Sequence, residues 1–390
     1  MIIDCDSHIM PRDAFDYVGD EYSSHAPRVK FDDSGRFVDV EYRVNPAYIA
    51  GTTPLPVSHP SHGLTYLGNA DMGARLADYE RMGVQAHLAL PQLTGWWSYL
   101  IDPEVGTAIG HSWNIALAKI MRQYPRQVLG AALVALQNVD GAIREVAWAK
   151  GEGFRAVMLD YIYPVVDHPY GTTLAGHKEL WPFFEKVEAL DIPIILHAVQ
   201  HGHRIVNCPR FLENGLDLSA PSDAQLNLIS LITSGLLDDF PGLKIIYAET
   251  GTAYIKPLAK LMDSRFDHTP IRFDDEGFTA GLRRRDNPTF KDLLLVPPTV
   301  VREKNKHYPS HYFKKNFFWT IETEEPELVE AIEFAGASQF LFATDYPHND
   351  AGGRMKFEDV QLLKQHPRIS EIDKEAIRTG NAMRLFKLAS

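Results

Sequence analysis

Eight short runs of aliphatic and β-branched residues recur along this chain, each closing on polar residues and each followed by a helical pattern. They are Ile2–Asp6, Ala86–Leu90, Leu129–Leu136, Ala156–Tyr161, Ile192–Ala198, Leu243–Glu249, Phe317–Glu322 and Phe340–Asp345. A run with little polar alternation must be buried on both faces, which a parallel sheet covered by helices achieves. Eight such strands alternating with helices predict an α/β fold, a closed (β/α)8 TIM barrel, over the alternative of an open doubly wound sheet. With 390 residues the chain accommodates one barrel with insertions, and residues 1–390 are read as a single domain.

Two helices have readable ends. One is expected from Ser222 to Leu237, opening on Ser-Asp and stopping at Asp-Asp-Phe-Pro-Gly. Another carries Pro326 in its first turn and runs to about Phe334, with Gly336 just past its end. Residues 17–70 and 264–314 break the repeat and are rich in turn formers, aromatics or charge. On a barrel both would leave from the carboxyl ends of strands, as insertions forming a lid and a substrate pocket.

Composition excludes several classes. Lys and Arg number 39 against 51 Asp and Glu, a net charge of −12, which argues against a basic nucleic-acid-binding face. Cys5 and Cys208 are the two cysteines, too few for a disulfide framework and consistent with a reducing compartment. The most apolar stretch, Val128–Leu136, is about half the roughly 18–20 residues of a membrane span. The first residues are acidic where a secretion signal is basic, so the expectation is a cytoplasmic protein with no membrane partner. No Gly-x-Gly-x-x-Gly, phosphate-binding loop, His-Glu-x-x-His or Gly-x-Ser-x-Gly pattern appears, leaving nicotinamide, ATP and serine-nucleophile chemistry without support.

The chemistry lies where polar residues stop the apolar runs. Asp6 and His8 end the first as Asp-x-His; His197, Glu249 and Asp345 end three others, and His348 follows Asp345 by three residues. Residues two apart on a strand share a face, so Asp6 and His8 could approach one ion from the barrel mouth. Each residue alone is what any strand meeting solvent would show. Their convergence at one end of the barrel argues for a metal, because clustered carboxylates repel unless a cation neutralises them.

Ile3-Asp4-Cys5-Asp6-Ser7-His8, His197, and Ala343-Thr344-Asp345-Tyr346-Pro347-His348 together resemble the amidohydrolase superfamily. The branch is that of aminocarboxymuconate-semialdehyde decarboxylase and related aromatic-acid decarboxylases, hydratases and hydrolases. Gly242–Ile246, Pro309-Ser310-His311-Tyr312 and Asn381–Phe386 extend the likeness. The resemblance implies that Asp6, His8, His197 and Asp345 contact metal, and that the protein forms a homodimer. Many relatives open with His-x-His, whereas Asp6 stands first here; strand six usually ends in His, whereas Glu249 stands here. Two-metal members often bridge their ions with a modified Lys after strand four, and Ala156–Tyr161 contains none.

A carboxylate-rich set shifts preference from Zn²⁺ toward Mn²⁺ or Fe²⁺, with one or two ions per chain. Asp345 would hold metal and, in hydrolysis, take a proton from water; Glu249 or His348 would handle protons in decarboxylation. Glu249 is alternatively a metal ligand or a base that binds none. Trp96, Trp97 and Tyr66 are candidate walls of an apolar substrate pocket, and His201 a candidate substrate contact. The reading is a metal-dependent enzyme that hydrolyses or decarboxylates a small, largely apolar carboxylate. The alternatives are a non-haem di-iron monooxygenase on the same barrel and a non-catalytic binding protein.

Overall fold

The computed structural model describes residues 1–41, 66–91, 102–159, 162–165, 168–173, 178–197, 214–266, 305–348 and 357–389. All eight expected strands form: β1 (Ile3–Ile9), β2 (Ala86–Pro91), β3 (Val128–Leu133), β4 (Ala156–Leu159), β5 (Ile194–His197), β6 (Ile245–Ala248), β7 (Phe317–Ile321) and β8 (Phe340–Phe342). They make one eight-stranded sheet in chain order, each parallel to the next. Three contacts close it. The His8 N–H donates to Tyr346 O at 2.7 Å, the Asp345 N–H donates to Asp6 O at 3.1 Å, and Ser7 bridges to Tyr346 in parallel. The result is a (β/α)8 barrel.

Strand alternation divides the core in two. Cys5, Leu88, Ala131, Met158, Ile195, Ile246, Phe318 and Leu341 fill the barrel interior, with Leu385 and Phe386 packed on the same cluster. Val157, Ile194, Ile245, Tyr247 and Trp319 face outward onto helical residues such as Ile109, Trp113, Val146 and Phe184. Burial on both sides explains why the strands read as uninterrupted apolar runs, and each large aliphatic or aromatic side chain so buried contributes about 1.5–3 kcal/mol.

The main helices are α1 (Met72–Met82), α2 (Pro103–Gln123), α3 (Val139–Glu152), α4 (Trp181–Leu190), α5 (Asn214–Thr233), α6 (Ile255–Phe266) and α7 (Leu328–Ala335). Side-chain caps fix the starts of α1, α2 and α3: Asp71 accepts from Ala74 N–H, Asp102 from Glu104 and Val105 N–H, and Asn138 from Gly141 N–H. Gly83, at φ 77°, ends α1 in the left-handed conformation that favours glycine. No described helix is long and apolar enough to cross a membrane.

Several sequence expectations need correction. The helix expected to open at Ser222 begins at Asn214 and runs through Pro221. An interior proline removes a single backbone donor, and surrounding structure can tolerate it. That helix ends at Thr233, because Gly235 at φ 84° separates it from the short turn Leu236–Asp239. Pro326 precedes α7, whose N-cap is Glu327. Two antiparallel hairpins, Arg28–Phe31 with Phe37–Glu41 and Ile162–Val165 with His168–Thr173, were not anticipated. The segment 264–314 begins in the last turn of α6 rather than at a strand end.

Candidate metal centre

The register of β1 determines what each of its faces carries. Opposite β2, Asp4 pairs with His87 and Ser7 with Ala89, so the strand takes one extra residue between them. Asp4 and Ser7 therefore share the side facing α1, while Asp6 and His8 point to the barrel mouth. His8 Nδ1 lies 3.1 Å from Pro91 O. A carbonyl can only accept, so Nδ1 carries the proton and Nε2 presents its lone pair inward.

That lone pair meets three carboxylates. His8 Nε2 is 3.6 Å from Asp6 Oδ1, 3.6 Å from Glu249 Oε1 and 3.5 Å from Asp345 Oδ1. His197 Nε2, at the end of β5, is 3.6 Å from Asp6 Oδ1 and 3.3 Å from Glu249 Oε1. His348 Nδ1 is 2.7 Å from Asp345 Oδ1 and 3.9 Å from Glu249 Oε1. Two overlapping groups emerge: Asp6, His8, His197 and Glu249, and His8, Glu249, Asp345 and His348. In each, the donor atoms lie within 4.8 Å of one another.

The backbone is bent to build this cluster. Glu249 and Asp345, one residue past β6 and three past β8, both have φ 53°, a left-handed conformation that costs a non-glycine residue about 1–2 kcal/mol. The Glu249 N–H is held by Thr320 Oγ1 at 3.4 Å and the Asp345 N–H by Asp6 O at 3.1 Å.

Both oxygens of Asp6, His8 Nε2 and Glu249 Oε1 are buried without a hydrogen-bond partner. Asp345 Oδ1 also lacks one, its close approach to His348 being out of hydrogen-bond alignment. Leaving such atoms unmet costs about 1–3 kcal/mol each. The separations of 3.3–3.6 Å are long for hydrogen bonds. They suit atoms arranged around one cation, since bonds of about 2.1 Å place neighbouring donors roughly 3.0–3.4 Å apart.

Electrostatics agree. Burial, then the charge of Glu249, pushes the Asp345 carboxyl well above its usual range. Burial works in the same direction on Glu249, but the neighbouring His197 overrides it and holds that carboxyl well below. Burial disfavours the His197 cation, yet Glu249 and Asp6 hold its pKa well above the ordinary imidazole value. Protons thus occupy positions that a cation would take, and metal binding would release them.

A cavity of about 230 Å³ opens beside the cluster, lined by Asp6, Glu249, Glu322, Glu325, Asp345 and Asp359, with Thr320 and other uncharged neighbours. Its described lining contains no Lys or Arg. Glu325 ties the loop after β6 in place, accepting from Thr252 Oγ1 and from the Glu322 N–H at 3.1 Å.

A second polar network lies on the opposite side of β1. The Asp4 carboxylate accepts from the Asp6 and Thr344 N–H groups, Thr344 Oγ1 and Tyr79 Oη, at 2.6–3.2 Å. Arg75 donates through Nε to His87 Nε2 at 3.0 Å, through Nη1 to His8 O at 2.8 Å and Gly68 O at 3.1 Å, and through Nη2 to Ser7 Oγ. Sequence reasoning missed this network. Its one readable signal was the spacing of Arg75, Tyr79 and Met82, three buried positions on one face of α1.

Asp6, His8, His197, Glu249, Asp345 and His348 come together in the structure. Tyr66 instead lies against Tyr346, ring centroids 6.0 Å apart, and is not among the residues lining the cavity beside the cluster. Trp96, Trp97 and His201 lie outside the described residues.

The amidohydrolase family model matches residues 3–388. A gamma-resorcylate decarboxylase of Polaromonas sp. is 27% identical over 287 residues, covering 70% of this chain and 75% of the relative. A 2-amino-3-carboxymuconate-6-semialdehyde decarboxylase of Dictyostelium discoideum is 20% identical over 326 residues, covering 82% and 77%. Among solved structures, a dihydroxybenzoic acid decarboxylase from Polaromonas with bound manganese and 2-nitroresorcinol superposes with TM-score 0.65 at 20% identity, covering 99% of this chain and 97% of that one. The 5-carboxyvanillate decarboxylase of Sphingomonas paucimobilis also gives TM-score 0.65, at 21% identity, covering 100% and 99%.

Proposed function

The chain belongs to the amidohydrolase family, and on that premise we propose that it is a metal-dependent decarboxylase of a small carboxylated aromatic, working with one ion of the Mn²⁺ class. The observation that carries this reading is the set of unmet buried donor atoms from Asp6, His8, Glu249 and Asp345 facing one another at the barrel mouth. His197 completes the proposed ligand set. Three carboxylates beside two imidazoles favour a harder ion than Zn²⁺, and manganese is the ion in the Polaromonas relative's structure.

The chemistry of His8 supports a count of one ion. Its Nδ1 proton is committed to Pro91 O, and the single lone pair on Nε2 can serve one cation, although both candidate groups include it. The di-iron oxygenase alternative gains no support from these relatives, nor does the non-catalytic one. Between the two reactions that fit the sequence equally, the relatives favour decarboxylation over hydrolysis.

The acidic cavity explains why a cation is needed. An aromatic carboxylate entering a chamber lined by Glu322, Glu325, Glu249, Asp359, Asp6 and Asp345 meets repulsion from its acidic walls. A bound divalent ion would supply the compensating charge and a Lewis-acid anchor for the substrate's carboxylate or phenolate oxygen. The volume of about 230 Å³ falls below the usual 300–1,000 Å³ of ligand sites and suits a single ring.

The chain's part in the reaction is to deliver a proton. With Asp345 in the proposed ligand set, its neighbour His348, whose Nδ1 lies 2.7 Å from Asp345 Oδ1, would be the group that carries that proton. His348 would place it on the ring carbon bearing the carboxylate. The C–C bond then breaks, its electron pair returns to the ring and CO₂ leaves. Trp96, Trp97 and His201 stay proposed substrate contacts, and the segments 17–70 and 264–314 proposed walls of the pocket.

The test is metal analysis of freshly purified protein, then CO₂ release from 2,6-dihydroxybenzoate and 5-carboxyvanillate with added Mn²⁺. One ion per chain with CO₂ release supports the reading. Protein that takes up no divalent ion overturns it.

A further inference from the structure

Arg75 is fully buried, and among the described residues no carboxylate touches its guanidinium. Its charge is instead balanced through hydroxyls. Nη2 donates to Ser7 Oγ, Ser7 Oγ meets Tyr79 Oη, and Tyr79 Oη donates to Asp4 Oδ2 at 2.9 Å. On the other flank the guanidinium packs over Tyr346, 4.9 Å from the ring centre, and the Tyr346 hydroxyl donates to Asp78. A buried arginine placed this way contributes less through ion pairing than through where its fork points.

The fork points at the back of the candidate metal centre. Nη1 donates to His8 O at 2.8 Å and to Gly68 O at 3.1 Å. Gly68 belongs to the turn Leu67–Asn69, and Asn69 O accepts the Met10 N–H at 2.8 Å. His8 is thus held at its N–H by Tyr346 O, at its C=O by Arg75 and at its ring by Pro91 O. Nε donates to His87 Nε2, which requires a neutral His87 and fixes the guanidinium plane. A lysine presents one point of charge and cannot satisfy His8 O, Gly68 O, Ser7 Oγ and His87 Nε2 together.

From this geometry we propose that Arg75 is a positioning residue for metal binding, orienting His8 through its main chain from the far side of β1. The proposal rests on the metal-centre reading above. Isothermal titration with Mn²⁺ alone, on the parent, Arg75→Gln and Arg75→Lys, tests it, with kcat and KM measured at saturating Mn²⁺. Groups that orient metal-binding side chains typically change affinity by about 10- to 100-fold when replaced.

The expectation is that loss in both variants, with kcat lowered, KM close to the parent's and cooperative unfolding retained. A folded Arg75→Gln protein that binds Mn²⁺ like the parent overturns the proposal. If Arg75→Gln does not fold, Ser7→Ala decides: it removes one anchor of the fork, and weaker Mn²⁺ binding supports the proposal while parental binding overturns it. A parent protein that binds no Mn²⁺ sinks the metal-centre reading itself, whereas equal binding by parent and variant sinks only the role of Arg75.

Discussion

Toward helix α1, strand β1 carries Asp4 and Ser7; toward the barrel mouth it carries Asp6 and His8, and the two sides treat their polar atoms differently. On the helix side donors match acceptors. Asp4 receives four hydrogen bonds, and Arg75 spends its fork on Ser7, His8, Gly68 and His87. On the mouth side acceptors outnumber donors: both Asp6 oxygens go unmet, although Oδ1 lies 3.6 Å from each of two imidazoles. Asp6, His8 and His197 are as deeply buried as Asp4, Ser7 and Arg75. Burial of polar groups therefore does not by itself mark a reactive site; the shortage of donors does.

The largest effect that can sharpen this contrast is expected on the mouth side. His197→Ala should lose bound metal and reduce turnover by about four orders of magnitude (about 5.5 kcal/mol of activation free energy), with unfolding little changed from that of the metal-free parent. Metal analysis and steady-state assays check this, and undiminished metal content would remove His197 from the ligand set. Asp4→Ala should do the reverse. It strands the Thr344 and Asp6 N–H groups and two hydroxyls, so urea unfolding should show a loss of about 3–5 kcal/mol. A variant that kept its stability but lost its metal would break the comparison.

Removing the ion is the next step down. Chelation should cost about 2.7 kcal/mol relative to protein held at a hundredfold excess of metal over its dissociation constant, and Mn²⁺ should restore it. Glu249→Gln should lessen that gain while retaining one ion per chain, as inductively coupled plasma measurements would show. Two ions in the parent falling to one in the variant would favour the dinuclear alternative.

The smallest effect concerns pH and the helix side. Burial, then the charge of Arg75, holds His87 well below its ordinary 6.5. Below that pH the unfolded chain takes up a proton that the folded chain refuses. His87 therefore lowers stability as pH falls from 6.5 toward its depressed folded value, by at most about 1.4 kcal/mol per pH unit. His87→Gln, which can still accept from Arg75, should flatten this slope when melting is followed between pH 7 and pH 5.

The mouth side was readable in the sequence because its residues end apolar runs. His197 follows Ile194-Ile195-Leu196 and closes β5, and Asp6 and His8 follow the two-residue spacing of a strand. The helix side was not. Asp4 sits inside the same run as Asp6, and the extra residue that sends the two to opposite faces depends on pairing with β2, which is tertiary information. Arg75 reads as an ordinary helix-surface cation until α1 is docked. The start of α5 was misplaced for a related reason, since Pro221 suggests a boundary that tertiary packing overrides. Glu249 was recognised as a departure from the family pattern, but its left-handed backbone, which aims the carboxylate inward, has no signature in residue type.

The closure of the barrel by residues from β1 and the β8 loop has a consequence for the order of assembly. Asp6 and Asp345 are separated by nearly the whole polypeptide, yet a direct backbone hydrogen bond joins them. During synthesis, a chain emerging from the ribosome carries Asp6 and His8, the first two of the proposed ligands, for almost the entire elongation period before the last ones appear. Such distant pairings form late. Half-built chains would thus hold an incomplete set of donors, and an ion bound as proposed would be captured tightly only once the cylinder is sealed.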